Sequence, residues 1–314
     1  MSDNAPADHA AAADQAAPIP GAHMAAELAS QPETWARAAE LRTERAALPA
    51  SGERIAVVGC GTSWFMAQSY AHLRESAGHG ETDAFAASEA FPHRGYDAVI
   101  AITRSGTTTE VLELVEQVRE RSSATRTIAI IGDTASPIVD VADTIIGLPF
   151  ADERSVVQTR FATTALAFLR ASLGHDLSGA IEHAQAVIDG RLDPSLVEAE
   201  QFSFLGRGWT VGLAHEAALK MREASQSWTE SYAAMEYRHG PISIAAPGRV
   251  TWLFGASPEG LADQVTATGA RFEHAAIDPL ADLVRAQRVA LERARLFGLD
   301  PDSPRNLTRS VILD

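Results

Sequence analysis

Two stretches of this chain, VVGCGTS from Val57 to Ser63 and FLGRGWT from Phe204 to Thr210, each set G-x-G directly between a short apolar run and a helical period. Gly59 and Gly61 stand to Gly206 and Gly208 at one common offset. Glycine lets a strand turn tightly into a helix, and meeting the same device twice is most simply explained by a duplicated α/β unit. Around the first copy, Ile55–Val58, Asp97–Ile102, Thr127–Ile131 and Thr144–Leu148 read as strands alternating with helices that end near Ser76 and Arg121. Buried apolar runs alternating with helices imply a parallel sheet with helices on both faces. Helices over about Ser155–Leu173 and Ser178–Arg191 lead to the second copy. Beyond it few strands are legible between Arg249 and Ile277 before a helix of about Pro279–Phe297, so the second sheet is expected to be one strand shorter.

The segment AITRSGTTTEV, from Ala101 to Val111, crowds short hydroxyl side chains at a strand end. Ligands of open parallel sheets sit outside the carboxyl ends of the strands, where helix N-termini aim free N–H groups into the crevice. Ser63, with Thr103, Ser105, Thr107 and Thr108, can therefore converge on one phosphoryl group, Gly106 allowing close approach. Taken alone, Thr107–Thr109 with Glu110 also fits a plain helix cap. Two such clusters at neighbouring strand ends favour phosphate. Neither G-x-G copy has the third glycine of a dinucleotide fingerprint, and no P-loop is present, so a phosphorylated small molecule is expected rather than NAD or ATP.

At 314 residues the chain has room for two domains, and its net charge of −15 disfavours nucleic acid and anionic membrane surfaces as partners. Its single cysteine, Cys60, has no disulfide partner, which fits a reducing compartment. Residues 1–22 read as a disordered tail with neither a secretory nor a transit signal, no run is long and apolar enough for a membrane span, and a cytoplasmic protein is expected. A helical lead-in, broken by Pro32, is expected over residues 23–50.

VVGCGTSWFMAQ, SGTTTEV, ERSVVQTRFATT, FLGRGWTVGLAHEAALKMRE, ESYAAMEYRHGP and DSPRNLTRSVIL follow one another as the landmarks of the double sugar-isomerase (SIS) domain proteins do, and resemble in particular the isomerase half of the glutamine-fructose-6-phosphate transaminases. The resemblance covers residues 23–314. It implies two tandem SIS domains, residues 51–175 and 176–300, each an αβα three-layer unit, with a C-terminal active-site tail at 301–314. By matching position it implies phosphate binding by Ser63, Thr103, Ser105 and Thr108, with Arg104 added where the transaminase pattern has glutamine. It places Gly61, Thr62, Val156 and Thr308 against the substrate.

The chemistry falls by the same matching on Glu223, which would shuttle a proton between C1 and C2 of an open-chain sugar, with Lys220 keeping it ionised and stabilising charge on oxygen. From spacing alone Glu216, Lys220 and Glu223 share a helix face and read equally as a solvated salt-bridge stripe. His239 matches the ring-opening histidine that a neighbouring subunit contributes, although a histidine before Gly-Pro also suits a turn. Arg309 stands where the transaminase pattern has a lysine. A guanidinium cannot form a Schiff base, but it can donate to a ring or carbonyl oxygen. No glutaminase segment with its cysteine is present in the sequence. The expectation is a homodimeric phosphosugar isomerase with a shared site and no metal or other cofactor, acting on a hexose 6-phosphate and most naturally deaminating an amino sugar phosphate. Simple aldose–ketose isomerisation, deglycation of a fructosamine phosphate, and a non-catalytic phosphosugar-binding regulator are the alternatives.

Overall fold

A computed structural model describes residues 19–313 of the chain. The expected tail lies mostly outside the described residues. The lead-in forms helices at Ala22–Ala29 and Gln31–Glu40, the second begun by Pro32 in its first turn, followed by a single turn at Arg42–Arg45.

Strands β1 (Ile55–Gly59), β2 (Thr82–Ala86), β3 (Ala98–Thr103), β4 (Arg126–Ile131) and β5 (Thr144–Gly147) form one sheet in the order β2-β1-β3-β4-β5, with every pairing parallel. Strands β6 (Gln201–Gly206), β7 (Thr229–Ala233), β8 (Arg249–Phe254) and β9 (Arg271–His274) form a second parallel sheet in the order β7-β6-β8-β9, without a fifth strand. The strand orders match position for position. Ile55 pairs with Thr82 as Phe202 pairs with Thr229.

Both faces of the first sheet are covered, as a parallel sheet requires. Ile55 and Val57 face a core shared with the second sheet, while Ala56 and Val58 face a separate cluster under the helix Thr109–Arg121. The shared core takes Phe202, Phe204 and Trp252 from the second sheet and is filled by the helices Thr62–Ser76, Arg160–Ser172, Thr210–Ser225 and Pro279–Leu296. Leu205 and Leu253 turn to the outer face, under the short helix Leu261–Ala267. The two sheets are therefore joined by one continuous apolar interior.

Two features depart from the sequence reading. The helix expected from Ser155 starts at Arg160, because the buried Glu153 carboxylate accepts the backbone N–H groups of Thr159 (2.7 Å), Arg160 (2.7 Å) and Phe161 (3.0 Å) and so closes the helix start from outside. The edge strands β2 and β7 were not expected. TDAFA and TESYA are only half-buried and lack the apolar run that marks a central strand.

Candidate active site

β1 and β3 are neighbours whose following helices leave on opposite sides, so a crevice opens at their carboxyl ends. Gly61, at φ +51°, begins the helix Thr62–Ser76, and a side chain on Gly59 would stand 2.7 Å from the Ser63 Cβ, so this turn admits only glycine. At the β3 end, Gly106 (φ +62°) is equally constrained, since a Cβ there would meet the Ser136 Oγ at 2.0 Å. Neither helix start carries a side-chain cap: Gly61 has none to offer, and the Thr108 hydroxyl caps nothing. The capping reading of Thr107–Thr109 therefore fails. Thr107 instead bonds Ser105 (3.0 Å) and Ser310 (2.9 Å), and Thr109 Oγ1 accepts the Leu313 N–H at 2.9 Å.

These ends enclose a cavity of about 200 Å³. Gly61, Thr62, Ser63, Thr103, Arg104, Ser105 and Thr108 line it from the first sheet, Val156 from the loop before Arg160, Lys220 and Glu223 from the helix Thr210–Ser225, and Thr308 and Arg309 from the C-terminal segment. Of the residues the sequence points to for phosphate, substrate or catalysis, these meet at one place, while Thr107 and His239 do not line the cavity. His239 lies exposed on a short turn, Glu236–His239, beyond β7, and does not line the cavity. Cys60, Gln158 and Ser310 also line it and were not singled out as site residues. Burial, with Glu110 nearby, pushes the Cys60 thiol up to about 11.

The carboxylate–lysine stripe is not solvated. Glu216 and Lys220 are 0% and 1% exposed, and Glu223, at 20%, reaches the cavity. The Lys220 Nζ is hydrogen-bonded to Glu223 Oε2 and lies 3.7 Å from Glu216 Oε1. Burial pulls the Lys220 ammonium down, but the attraction of Glu216 and Glu223 outweighs it and the net direction is up. Lys220 therefore stays protonated beside its two carboxyl groups.

Both arginines that replace other residues of the resembling pattern are engaged differently from the expectation. Arg104 is buried, and its Nη1 and Nη2 donate to the carbonyls of Ser155 (2.9 Å) and Arg309 (2.8 Å), so its hydrogen bonds clamp the loop and the tail instead of standing free for phosphate. Its charge still lies at the cavity wall. Arg309 Nη2 forks onto both oxygens of Asp152 (2.6 and 2.8 Å), and Nη1 donates to the Glu153 carbonyl, so it latches the tail instead of standing free as a donor to the sugar. Val311 O accepts from Thr109 N (3.2 Å) and Asp302 O from Val156 N (3.4 Å), which hold the segment across the cavity mouth.

The second sheet does not repeat the cradle. Thr210 takes the place of Ser63 at the common offset, but its hydroxyl donates to the Phe254 carbonyl (2.9 Å) and accepts the Arg207 N–H (2.8 Å), closing the gap between β6 and β8. Among the described residues no group of three or more His, Cys, Asp or Glu side chains is placed to hold a metal ion, and no helix is long and apolar enough to cross a membrane.

Residues 50–173 match the SIS domain family. The glutamine–fructose-6-phosphate aminotransferase of Nostoc sp. (strain PCC 9229) is 28% identical over 330 residues, covering 83% of this chain and 52% of its own length. The chain thus spans about half the length of the curated relatives it matches. Among solved structures, glucosamine-6-phosphate deaminase from Thermotoga maritima shares the fold with a TM-score of 0.80 at 24% identity, covering 92% of this chain and 99% of that one. Tagatose-6-phosphate ketose/aldose isomerase from Escherichia coli does so with a TM-score of 0.75 at 19% identity, covering 91% and 98%.

Proposed function

We propose that this chain is a tandem SIS protein, its second α/β unit a further SIS domain, and that it isomerises a hexose 6-phosphate, releasing ammonia from an amino sugar phosphate. The observation that carries the reading is the meeting, in one cavity, of two uncapped helix starts and their hydroxyls with the Lys220–Glu223 pair. The first set suits a phosphate dianion: hydroxyl donors and two positive helix ends face it. The second suits a carbon acid. Glu223 removes the proton from C2 of the open-chain aldose and returns it to C1, while Lys220 donates to the oxygen on which charge develops. With a 2-amino sugar this shift leaves an imine at C2, which water hydrolyses to the ketose phosphate and ammonia. His239, exposed and away from its own cavity, serves as ring opener in the site of a second copy, in a homodimer.

A second reading is favoured by Arg309. The position holds no amine, and the guanidinium that occupies it is tied to Asp152, which fits plain aldose–ketose isomerisation or deglycation as well as deamination. A regulator that only binds a phosphosugar has no use for a buried ammonium–carboxylate pair beside the ligand, since the pair costs desolvation without adding affinity.

The test is release of ammonia and fructose 6-phosphate from glucosamine 6-phosphate, with Glu223→Gln assayed beside the wild type. Release by the wild type and its loss by a factor of about 100 or more in the variant are expected. Isomerisation without ammonia moves the assignment to the second reading. Binding without turnover of any hexose 6-phosphate refutes the enzyme.

A further inference from the structure

Glu216 has no part in the reaction just described, yet its surroundings are unusual. It lies one turn before Lys220 on the helix Thr210–Ser225, is completely buried, and neither carboxyl oxygen has a hydrogen-bond partner among the described residues. Its one close charge is the Lys220 Nζ at 3.7 Å. Lys220 in turn bonds Glu223, which opens onto the cavity. The three groups therefore run in line from the core to the substrate position. We infer that Glu216 is a relay residue of this site, holding a proton in the resting protein and passing it through Lys220 to the sugar oxygen as Glu223 takes the carbon-bound proton. The inference rests on the isomerase reading.

The charge count leads to the same assignment. The Lys220 ammonium is hydrogen-bonded to one of its two carboxyl groups, and the other is sealed from water, so one of the two holds a proton. Glu223 has the Lys220 hydrogen bond and partial solvent access, whereas Glu216 has neither. Around Glu216 the charged groups are Lys220, Arg222 and Glu223 on its own helix and Glu153 from the loop before Arg160, with the Thr62 hydroxyl facing it from the neighbouring helix start; the Arg222 guanidinium bonds Thr229 instead of either carboxylate. Burial pushes its carboxyl up to about 8, Glu223 and Glu153 adding to the rise and Lys220 opposing it.

The proton balance closes without a co-reactant. Glu223 accepts the proton from carbon, and the electron pair of that C–H bond moves onto the carbonyl oxygen. That oxygen takes a proton from the Lys220 ammonium, and the resulting amine takes the proton of Glu216. The triad begins as acid, ammonium and carboxylate and ends as carboxylate, ammonium and acid, so its net charge does not change. Collapse of the enediol to the ketose runs the relay in the opposite direction from the other heteroatom: Glu223 delivers its proton to C1, the proton on O2, or on the 2-amino group of an amino sugar, passes through Lys220 to Glu216, and O1 keeps the proton it received. A buried site gains from this, because no uncompensated charge appears at any stage.

Two measurements on the full chain test the relay. The first is ¹³C NMR of Glu side-chain carboxyls over pH 5–10, without ligand, in wild type and Glu216→Gln. One carboxyl that titrates above neutrality in the wild type and is missing from the variant is expected. The second is turnover of whichever hexose 6-phosphate the wild type accepts, where Glu216→Gln should lower kcat by about 10- to 100-fold with little change in KM. A merely structural role would not give that split together with the missing titration. Wild-type carboxyls all ionised by pH 6, or an unchanged kcat in the variant, overturns the relay alone. A wild type inert towards every hexose 6-phosphate overturns the isomerase reading and the relay with it. The wild-type titration does not depend on the variant folding.

Discussion

Gly212 lies where the helices that follow β1 and β6 pack closely, and replacing it with alanine tests how tightly the fold sets the site. It lies in the first turn of the helix Thr210–Ser225 and faces the helix Thr62–Ser76. A Cβ at Gly212 would stand 2.3 Å from the Phe65 carbonyl oxygen, 2.3 Å from the Ser69 Oγ and 3.1 Å from the Ser69 N. Ser69 is fully buried, and the Phe65 carbonyl belongs to a helix backbone that cannot rotate away. Restoring ordinary contact distances of about 3.5 Å therefore requires the helices to part by ~1 Å. Two effects compete. Alanine gains at most ~1 kcal/mol over glycine, the value for a helix interior and an upper bound in a first turn, and overpacking costs ~1–3 kcal/mol or more where the neighbour is backbone. Overpacking wins, and a fall in Tm of about 2–4 °C for each net kcal/mol is expected. The functional effect should be larger. Thr62 and Ser63 ride on one of these helices and Lys220 and Glu223 on the other, so parting them moves the phosphate cradle away from the base, and a misplacement of ~1 Å costs on the order of 100-fold in rate. Differential scanning calorimetry and kcat/KM on the same preparation read both. A Gly212→Ala protein that melts higher than wild type, as helix propensity alone requires, and keeps its activity would falsify the argument.

Three further outcomes follow from particular contacts. Asp152→Asn weakens the fork that holds Arg309; because both partners are partly exposed to solvent, stability should change by less than ~1 kcal/mol, whereas KM for the sugar phosphate should rise several-fold as the tail loosens, and unchanged KM refutes the latch. Arg170 and Asp278 form a largely buried bidentate pair (2.9 and 2.7 Å), and Asp278 also caps the helix Pro279–Leu296 through the Leu280 N–H, so Asp278→Ala should cost ~3–5 kcal/mol in urea unfolding, with a loss under 1 kcal/mol counting against the pair. Glu216 supplies a pH dependence: its folded value of about 8 exceeds the ordinary 4.5, so the wild type loses stability as pH rises from about 4.5 through 8, and Glu216→Gln should gain on it across that window, by a few kcal/mol at most. Unfolding curves for the two proteins that stay parallel from pH 5 to 9 exclude a buried titrating carboxyl.

How far the fold was legible in the sequence depended on where each element lies. β1 and β3 are buried along their whole length, so their apolar runs announce them, while β2 and β7 are half-buried edges whose composition looks like loop. The G-x-G turns were readable because their backbone geometry tolerates no side chain. The start of the helix at Arg160 was not, because Glu153 sets it from outside the helical period. In the site, the hydroxyl loops were evident from residue type, and the roles of Glu223 and Lys220 came only with a family resemblance. The engagements of Arg104 and Arg309 are with backbone carbonyls and an aspartate far along the chain, which no local pattern encodes. Glu216 had a visible signal, the four-residue spacing to Lys220, but the same spacing marks countless exposed ion pairs. Only its burial separates the two cases.

The different fates of Ser63 and Thr210 bear on how such a molecule can change. One copy of the repeated turn kept an open hydroxyl at the crevice; in the other, Thr210 is sewn to Phe254 and the crevice is shut. On the proposed function, the half that would grip the phosphate leaves the proton transfer to Lys220 and Glu223 of the other half, whose own turn lines no part of the cavity. Inheritance can act on these two tasks separately. Substitutions along the helix Thr210–Ser225 or in the C-terminal segment can redirect the chemistry while the anchor for the phosphate stays as it was, a modular route from one phosphorylated sugar to the next.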